Sequence, residues 1–261
     1  MQMYSLGSGS SGNAFLVRTA RTTLLIDCGV AARACTAALK ELTPDCRVDA
    51  ILISHEHVDH VRALIPVLRR TECNVVTTRG TRAQLRLDCG YTEVVSGGRF
   101  TSGDIDVTFI GVAHDAAEPC GFILESAGTT AAIFTDLGHV SAAVLDALRA
   151  ADIIVLESNY DTGMLRRGRY PQHLKRRITG SHGHLSNDDC ASALAATAGR
   201  ASAIWLAHLS ENNNLPEIAQ EAVGTALRVN GLSTPATPLP RFARQDLNQP
   251  PAIVSQGRLV F

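Results

Sequence analysis

Short apolar runs rich in β-branched residues recur along the chain, and most are ended by Gly, Asp or Ser. Runs of this length, bounded by turn-forming residues, predict buried β-strands. We expect eight such strands, at residues 23–27, 50–54, 74–77, 105–111, 120–125, 130–135, 152–157 and 202–206.

Apolar residues at helical spacing predict four helices, at residues 31–42, 141–150, 187–198 and 215–229. Ser186, Asn187 and Asp188 are candidate caps for the third of them, and Gly199 is a plausible stop. Strands outnumber helices early in the chain, and later the two alternate. This order fits an α/β fold in which two sheets pack face to face and helices cover them outside.

The C-terminal segment, residues 231–261, has a different composition. Half of the ten prolines lie at positions 235, 238, 240, 250 and 251. Proline removes a backbone donor and clashes with the preceding helical turn, so this segment cannot form a helix. We expect one domain that spans residues 1–261. Within it, residues 231–261 should form a tail that wraps the surface and ends in a short strand at 258–261.

The bulk composition is that of a globular protein, with 45% hydrophobic and 19% charged residues. No run approaches the roughly 18 apolar residues of a membrane span, and the first residues lack the pattern of a signal peptide. We therefore expect a cytoplasmic protein without a membrane partner. Seven cysteines without a Cys-x-x-Cys pair suggest reduced thiols rather than a zinc knuckle. The net charge of −1 indicates nothing about nucleic acid.

Three histidines and an aspartate lie within six residues, directly after the predicted strand 50–54: His55, His57, Asp59 and His60. Imidazole and carboxylate bind zinc, manganese or iron, and a set without thiolate is typical of a catalytic metal site. The alternative is a polar surface loop with incidental histidines. The metal site is favoured because the expected strand precedes the motif.

The segment SHEHVDH at residues 54–60 resembles the His-x-His-x-Asp-His signature of the metallo-β-lactamase superfamily. Residues 24–29, LLIDCG, are similar to the strand of that superfamily that ends in an Asp. The resemblance implies a four-layer αββα sandwich, the metallo-β-lactamase fold, with two divalent metal ions.

Three residues farther along the chain follow the order of the superfamily's remaining ligands: His114, Asp136 and His208. The resemblance implies that the first metal is bound by His55, His57 and His114. It implies that the second is bound by Asp59, His60 and His208, with Asp136 as the bridge. From the residues alone, His114 and Asp136 could serve turns and His208 could be a core histidine. Each follows a predicted strand, however, and a sandwich brings strand ends to one rim.

Further motifs point to one group within the superfamily. They are LGSGSSGNA at 6–14, ESNYD at 157–161, with ML at 164–165 and YP at 170–171, GHLSN at 183–187 and HLSENN at 208–213. These motifs span nearly the whole chain and resemble the YycJ/WalJ group. The resemblance implies a ribonuclease Z-like ligand layout and phosphodiesterase activity, with exonuclease activity from the 5′ ends of DNA.

Two residues are candidates for proton transfer. Asp59, besides binding metal, would orient the attacking hydroxide and accept its proton. His184 resembles the catalytic histidine of ribonuclease Z relatives and would contact the phosphate or protonate the leaving oxygen. Its neighbour His182 could take that role instead, whereas His139 and His173 are typical of surface residues.

A basic run without any acidic residue consists of Arg166, Arg167, Arg169, Lys175, Arg176 and Arg177. Such runs are commonly solvated helical faces. Its position between the motifs at 157–161 and 183–187 makes a track for a phosphate backbone equally plausible, with salt-sensitive contacts. The Gly/Ser residues 7–12 could also bind a phosphate through backbone amides, but a tight turn between strands fits better because a strand follows them.

The sequence thus predicts a hydrolase with two divalent ions, Zn²⁺, Mn²⁺ or Fe, that cleaves phosphodiester bonds in nucleic acid, with DNA favoured over RNA. One alternative is a small-molecule hydrolase of the same fold that acts on a thioester, lactone or cyclic phosphodiester. It would use the same ligands without the basic run. Another is an iron-dependent redox or sensing protein, although 261 residues leave no room for a separate cofactor domain. No pattern indicates the oligomeric state.

Overall fold

The computed structural model describes residues 1–43 and 46–247, whose strands form two seven-stranded sheets. The first sheet has the order β14-β1-β2-β3-β4-β5-β6 and consists of β1 (Gln2–Gly7), β2 (Ala14–Arg18), β3 (Thr23–Ile26), β4 (Ala50–Leu52), β5 (Asn74–Thr77), β6 (Tyr91–Glu93) and β14 (Gln245–Asp246). The second sheet has the order β13-β12-β11-β10-β9-β8-β7 and consists of β7 (Arg99–Ser102), β8 (Ile105–Gly111), β9 (Cys120–Ser126), β10 (Thr129–Phe134), β11 (Ile153–Glu157), β12 (Ala203–Ala207) and β13 (Ala236–Pro238).

Helices lie between these strands along the chain. They are α1 (Ala32–Leu42), α2 (Val58–Val61), α3 (Leu64–Thr71), α4 (Arg79–Leu85), α5 (Ala142–Ala150), α6 (Thr162–Arg167), α7 (Gln172–Ile178), α8 (Asn187–Thr197) and α9 (Pro216–Val229). The predicted cap Ser186 is confirmed, since its side chain accepts a hydrogen bond from the Asp189 amide at the start of α8. None of the helices in the described ranges has the length and apolar character needed to cross a membrane.

The strands alternate their side chains between two apolar layers. In β11, Ile153 and Val155 pack into the core between the sheets, whereas Ile154 and Leu156 pack against the helices outside. Successive side chains of a strand point to opposite faces, so burial on both faces explains the unbroken apolar runs. The outer face of the first sheet is covered in the same way by Leu39 of α1. The four-layer αββα prediction is confirmed.

The two sheets share one pairing pattern. Across each sheet, three antiparallel pairings are followed by three parallel ones. Strands β1, β3 and β4 therefore run in one direction, and so do β8, β10, β11 and β12 within their own sheet. Loops that follow the carboxyl ends of such strands collect at one rim, where binding and catalytic residues are commonly found.

Each of the eight predicted strands is present, with bounds that shift by no more than two residues. The eight predictions do not include β1, β2, β6, β7, β13 and β14. The last four of these are two to four residues long and carry little apolar pattern. In contrast, β1 and β2 are six and five residues long and mostly buried, and the sequence analysis missed them. The tail is not helical in residues 231–247, as predicted. The expectation that it only wraps the surface is wrong, since β13 and β14 extend the two sheets. The strand predicted at 258–261 lies outside the described residues.

Candidate active site

The histidine-rich loop follows the carboxyl end of β4 and is held closely by its neighbours. The amide of Cys28 donates to the carbonyl of His60 (2.6 Å), and the amide of Asn13 donates to the carbonyl of Asp59 (2.8 Å). Gly29 packs against this loop so tightly that an added Cβ would overlap the Asp59 carbonyl. The loop is thus fixed by backbone contacts from the loops after β1 and β3.

One cluster of ring nitrogens combines this loop with the segment after β8. His55 Nε2 lies 3.1 Å from His57 Nδ1, which lies 3.3 Å from His114 Nε2. Metal–nitrogen bonds of about 2.0–2.1 Å in a tetrahedral site place two ligand nitrogens about 3.3–3.4 Å apart. The spacing of these three histidines therefore suits a common metal ion.

A second cluster combines the same loop with the ends of β10 and β12. It consists of Asp59, His60, Asp136 and His208, whose ligand atoms lie within 4.8 Å of one another. His60 Nε2 is 3.0 Å from Asp136 Oδ2, and His208 Nε2 is 3.2 Å from Asp59 Oδ2. Asp136 also approaches the first cluster, because its Oδ1 lies 3.7 Å from His114 Nε2. It therefore lies between the two clusters.

Asp136 Oδ2 is buried and has no hydrogen-bond partner in the described residues, although His60 Nε2 is so near. An unpaired buried carboxylate oxygen is costly unless a ligand or water satisfies it. The residues present therefore fit divalent cations, which the two clusters and Asp136 would hold.

Left-handed backbone marks three residues of this region. Asp27, Asp136 and His208 have φ angles of 58°, 57° and 54°. They follow the strands β3, β10 and β12, respectively. Non-glycine residues adopt this conformation rarely and at a cost, and such residues cluster at functional sites. Each of these three residues lies just after the carboxyl end of its strand, at the rim where the candidate site is found.

Buried acceptors behind the ligands orient the histidine rings. Asp27 Oδ2 lies 2.7 Å from His60 Nδ1, and Asp27 also accepts from the amide and hydroxyl of Ser54 at 2.8 Å each. His114 Nδ1 lies 2.9 Å from the carbonyl of Gly183. Such contacts determine which nitrogen carries the proton, and they would leave Nε2 of His60 and His114 available to a metal ion.

Glu157, at the end of β11, is a site residue that the sequence analysis missed. It is fully buried, and its Oε1 lies 2.8 Å from His184 Nδ1 and 2.9 Å from His208 Nδ1. The available signal was an acidic residue closing the apolar run 152–157, inside a motif already singled out. A charge at the end of a buried strand needs partners, and two histidines supply them.

His184 lies beside the clusters, with its ring centroid 5.2 Å from those of His114 and His208. Its side chain is 20% exposed, so one side of the ring is open to solvent. His182, by contrast, is exposed and lies beside the Ser181 hydroxyl (3.1 Å). Of the two candidates, His184 alone borders the ligands. His139 and His173 lie apart from the clusters.

The carboxylates and imidazoles of the site shift each other's protonation. Burial alone would lower the pKa of His208, but Asp136, Asp59 and Glu157 outweigh it and raise the pKa to about 10. Burial would raise the pKa of Asp136, but His208 and His60 hold it well below its usual range. Burial also opposes the charged form of His184, and Glu157 nevertheless raises its pKa. The carboxylates therefore stay ionised, as metal ligands must be.

Asparagine side chains form hydrogen bonds between the loops around the candidate site. Asn159 Nδ2 donates to the carbonyl of His208 (2.8 Å), and Asn214 Nδ2 donates to the carbonyls of Ser158 and Asn159 (2.8 and 3.0 Å). The Ser158 hydroxyl donates to Asn187 Oδ1 (2.6 Å). Hydrogen bonds therefore connect the motifs at 157–161, 183–187 and 208–213, which lie next to the ends of β11, α8 and β12.

The basic run lies on α6 and α7, except for Arg169, which lies on the segment between them. Arg166, Arg167, Arg169 and Arg176 are exposed. Lys175 is half-buried and donates to the carbonyl of Arg166 (2.8 Å). Arg177 Nε donates to Asp115 Oδ2 (2.6 Å), and Asp115 Oδ1 lies 3.3 Å from His114 Nε2. One end of the run thus reaches the edge of the candidate site.

Residues 7–12 form a turn between β1 and β2, as predicted in preference to a helix start. The hydroxyl of Ser8 accepts from the His208 amide (2.9 Å) and donates to Asn13 Oδ1 (3.0 Å). Asn13 Nδ2 lies 3.1 Å from His60 Nε2. This turn is therefore part of the wall of the site.

Known proteins are similar to this chain in sequence and in fold. The family described as "Beta-lactamase superfamily domain" matches residues 22–209. Exodeoxyribonuclease YycJ from Bacillus anthracis is 36% identical over 234 residues, which cover 87% of this chain and 89% of the relative. Exodeoxyribonuclease WalJ from Streptococcus pneumoniae serotype 2 is 36% identical over 225 residues, or 82% and 83% of the two chains. The crystal structure of Zn²⁺-bound PqqB from Methylobacterium extorquens has a TM-score of 0.75 at 17% identity, covering 95% of this chain and 100% of that one. As its motifs predicted, the chain belongs to the metallo-β-lactamase superfamily and, within it, to the YycJ/WalJ group.

Proposed function

We propose that this chain is a hydrolase that uses two divalent metal ions to cleave phosphodiester bonds, and that it degrades DNA from 5′ ends. The observation that carries the proposal is the pair of candidate ligand clusters that meet at Asp136, whose Oδ2 is buried and has no hydrogen-bond partner among residues 1–43 and 46–247. The exodeoxyribonuclease names of relatives that cover most of the chain support the substrate class.

The proposed ligand set divides between the two clusters. The first ion would be held by His55, His57 and His114. The second would be held by Asp59, His60 and His208, and Asp136 would contact both. Zinc and manganese both accept these donors, as does iron. When bound, two such ions lower the pKa of a water toward neutrality and stabilise charge on the attacking and leaving oxygens.

Asp59 is suited to act on the attacking water. Its side chain is 22% exposed, whereas those of His60, Asp136 and His208 are at most 3% exposed. It is therefore the member of the second cluster that solvent reaches most easily. A carboxylate at this place can orient the water and accept its proton.

His184 is suited to act on the phosphate or the leaving group. Glu157 engages its Nδ1 at 2.8 Å, which leaves Nε2 as the nitrogen that can donate to substrate. Pairing with a buried carboxylate also holds the ring in one orientation. Its partly exposed ring beside both clusters gives a substrate oxygen a route to that nitrogen.

The basic run would bind the DNA backbone. Its exposed arginines lie on α6 and α7, and Arg177 connects α7 to Asp115 beside His114. A chain of phosphates that follows these helices would reach the site at the His114 edge. Small-molecule hydrolysis, the alternative, would not require the exposed arginines Arg166, Arg167, Arg169 and Arg176.

The deciding experiment combines metal analysis with a substrate panel. Purified protein would be analysed for bound metal and assayed on 5′-labelled single-stranded DNA, structured RNA, bis(para-nitrophenyl) phosphate, a thioester and a lactone. We expect about two metal ions per chain and release of 5′-terminal nucleotides from DNA. Turnover of the thioester or lactone without cleavage of DNA would contradict the proposal, and so would DNA cleavage that persists after the metal is removed.

A further inference from the structure

Phe242 is unusual among the aromatic residues of this chain. It is 79% exposed, and no other Phe, Tyr or Trp side chain in residues 1–43 and 46–247 is exposed. Phe15, Phe109, Phe122 and Phe134, by contrast, are fully buried. A single exposed apolar side chain needs no special explanation. Its place in the fold therefore has to decide whether it has a role.

The segment that carries Phe242 is attached to the wall of the candidate site. The carbonyl of Pro240 accepts from the Ser8 amide (3.2 Å), and Arg241 Nη2 donates to the carbonyl of Leu209 (3.3 Å). The hydroxyl of Ser8 in turn accepts from the His208 amide (2.9 Å). Phe242 thus follows a residue that contacts both the turn at 7–12 and the residue after a proposed ligand.

The turn itself is shaped to receive this segment. A Cβ on Gly7 would lie 2.8 Å from the Arg241 carbonyl oxygen, and a Cβ on Gly9 would lie 3.2 Å from the Arg241 side chain. The two glycines also have φ angles of 151° and 149°, which L side chains rarely adopt. Their lack of a side chain therefore lets Arg241 sit directly on the turn.

One arginine lies beside the exposed ring, and a second lies on the turn that this segment contacts. The Arg241 guanidinium carbon lies 5.9 Å from the centroid of Phe242, and Arg241 Nε is buried without a hydrogen-bond partner among the described residues. Arg62, which follows α2, donates from Nη1 to the carbonyl of Ser11 on the same turn (2.9 Å). Glu211 lies 3.8 Å from Arg241 and offsets part of this charge. A cation beside an open aromatic ring, with a second cation on the adjoining turn, matches the phosphates and bases of a single strand.

We infer that Phe242, supported by Arg241, is a stacking platform for one base of a single-stranded DNA end whose scissile phosphate lies at the candidate metal centre. The inference rests on the proposed nuclease function and adds the means by which an unpaired end is held. The basic run reaches the site from the His114 edge, whereas this platform lies on the His208 side. An open ring accepts any base, so binding here would not depend on sequence.

The test compares Phe242→Ala with Phe242→Trp. The measured quantity is kcat/KM for a single-stranded oligodeoxynucleotide divided by kcat/KM for bis(para-nitrophenyl) phosphate. Stacking of one base on an aromatic side chain corresponds to a factor of about 5–150 in this ratio. We expect Phe242→Ala to lower it by that factor, chiefly through KM, and Phe242→Trp to restore it.

A matched control is Val229→Ala, which removes another exposed apolar side chain (80%) at the end of α9. Its ratio should equal that of the native protein. An oligonucleotide with an abasic terminal residue supplies the complementary test, because Phe242→Ala should cause no additional loss on it. An unchanged ratio for Phe242→Ala on intact DNA would overturn the stacking inference. Failure of the native protein to cleave DNA at all, with or without added metal, would instead overturn the proposed function.

Discussion

The two sheets are built on one plan but contribute differently to the candidate site. The strand β3 in the first sheet and β10 in the second each stand where antiparallel pairing changes to parallel. Each is followed by an aspartate with left-handed backbone, Asp27 or Asp136. The carboxylate of Asp27 is satisfied by Ser54 and His60, whereas one oxygen of Asp136 has no hydrogen bond within the part of the chain that the structure describes. The same position therefore serves as support in one half and as a candidate ligand in the other.

This comparison extends to the spacing of the site residues. The first sheet supplies four candidate ligands from one loop after β4, at positions 55–60. The second sheet supplies one residue from each of several strand ends: His114, Asp136, Glu157 and His208. A short loop can concentrate ligands only when neighbouring backbone holds it, and Gly29 and Asn13 do this. Strand ends need no such loop, because the sheet already brings them together.

The largest effect is expected at Asp59, the loop residue that is proposed both to bind metal and to accept a proton. Asp59→Asn should reduce phosphodiester hydrolysis by more than about 10⁴-fold, because the contribution of a general base is lost together with a ligand charge. Circular dichroism should show an unchanged fold. Retained turnover at saturating metal would show that the loop only positions the ions. Asp106→Asn, on an exposed face of β8, is the matched control.

His184 tests the contribution of the second half. His184→Ala should lower turnover by roughly 10²–10⁴, the usual contribution of a positioned acid or base, while metal content stays unchanged. His182→Ala is the control, since this exposed neighbour lies outside the clusters and should keep native activity. Loss of metal in His184→Ala would make His184 a ligand. Assay and metal analysis on the same preparation separate the two results.

A smaller effect is expected at Asp27, which should act through His60. Asp27→Asn should weaken metal binding by about 10–100-fold, the usual cost of altering a residue that orients a metal-bound histidine. Activity should return at high metal concentration, because the first-sheet aspartate does not touch substrate. A competitive titration with a chelator measures the change. Activity that stays low at saturating metal would mean that the two aspartates are less different than their contacts suggest.

The smallest effect concerns the basic run beside the second sheet. Replacing Arg166, Arg167 and Arg176 by Gln should weaken binding of single-stranded DNA and reduce its salt dependence by a slope of roughly 0.7 per lost phosphate contact. Equivalent changes at the exposed Arg33, Arg69 and Arg70 on the first sheet's helices should leave the slope unchanged. If the two triple variants show equal salt dependence of DNA binding, the basic run is a solvated helical face and does not bind DNA.

The sequence predicted the long strands and helices well because burial on both faces produces unbroken apolar runs. Ile153 to Leu156 show this pattern, since alternate residues enter different cores. Four of the missed strands, β6, β7, β13 and β14, are edge strands of two to four residues, which depend on pairing with a neighbour rather than on their own composition. The other two, β1 and β2, were missed although they are longer and mostly buried.

The candidate site was predictable where ligands are contiguous and less so where they are dispersed. In the loop at 55–60, the spacing of three histidines and one aspartate was enough to predict a metal site. His114, Asp136 and His208 could be proposed only from their order in a family resemblance. Glu157 was missed because an acid that ends a strand usually begins a turn, and only the fold shows that it faces His184 and His208.

The pairing of β1 with β14 sets the order in which this chain can fold. Tyr4 lies opposite Asp246, so the edge of the first sheet is completed only after nearly all the described chain has been synthesised. The hydroxyl of Ser8 likewise meets the amide of His208 across 200 positions of sequence. Contacts of such long range slow folding and leave strand edges open meanwhile. The loop at 55–60 can therefore form its local contacts early in synthesis. The complete site can form only after the strands near the C-terminal end of the described chain have been synthesised.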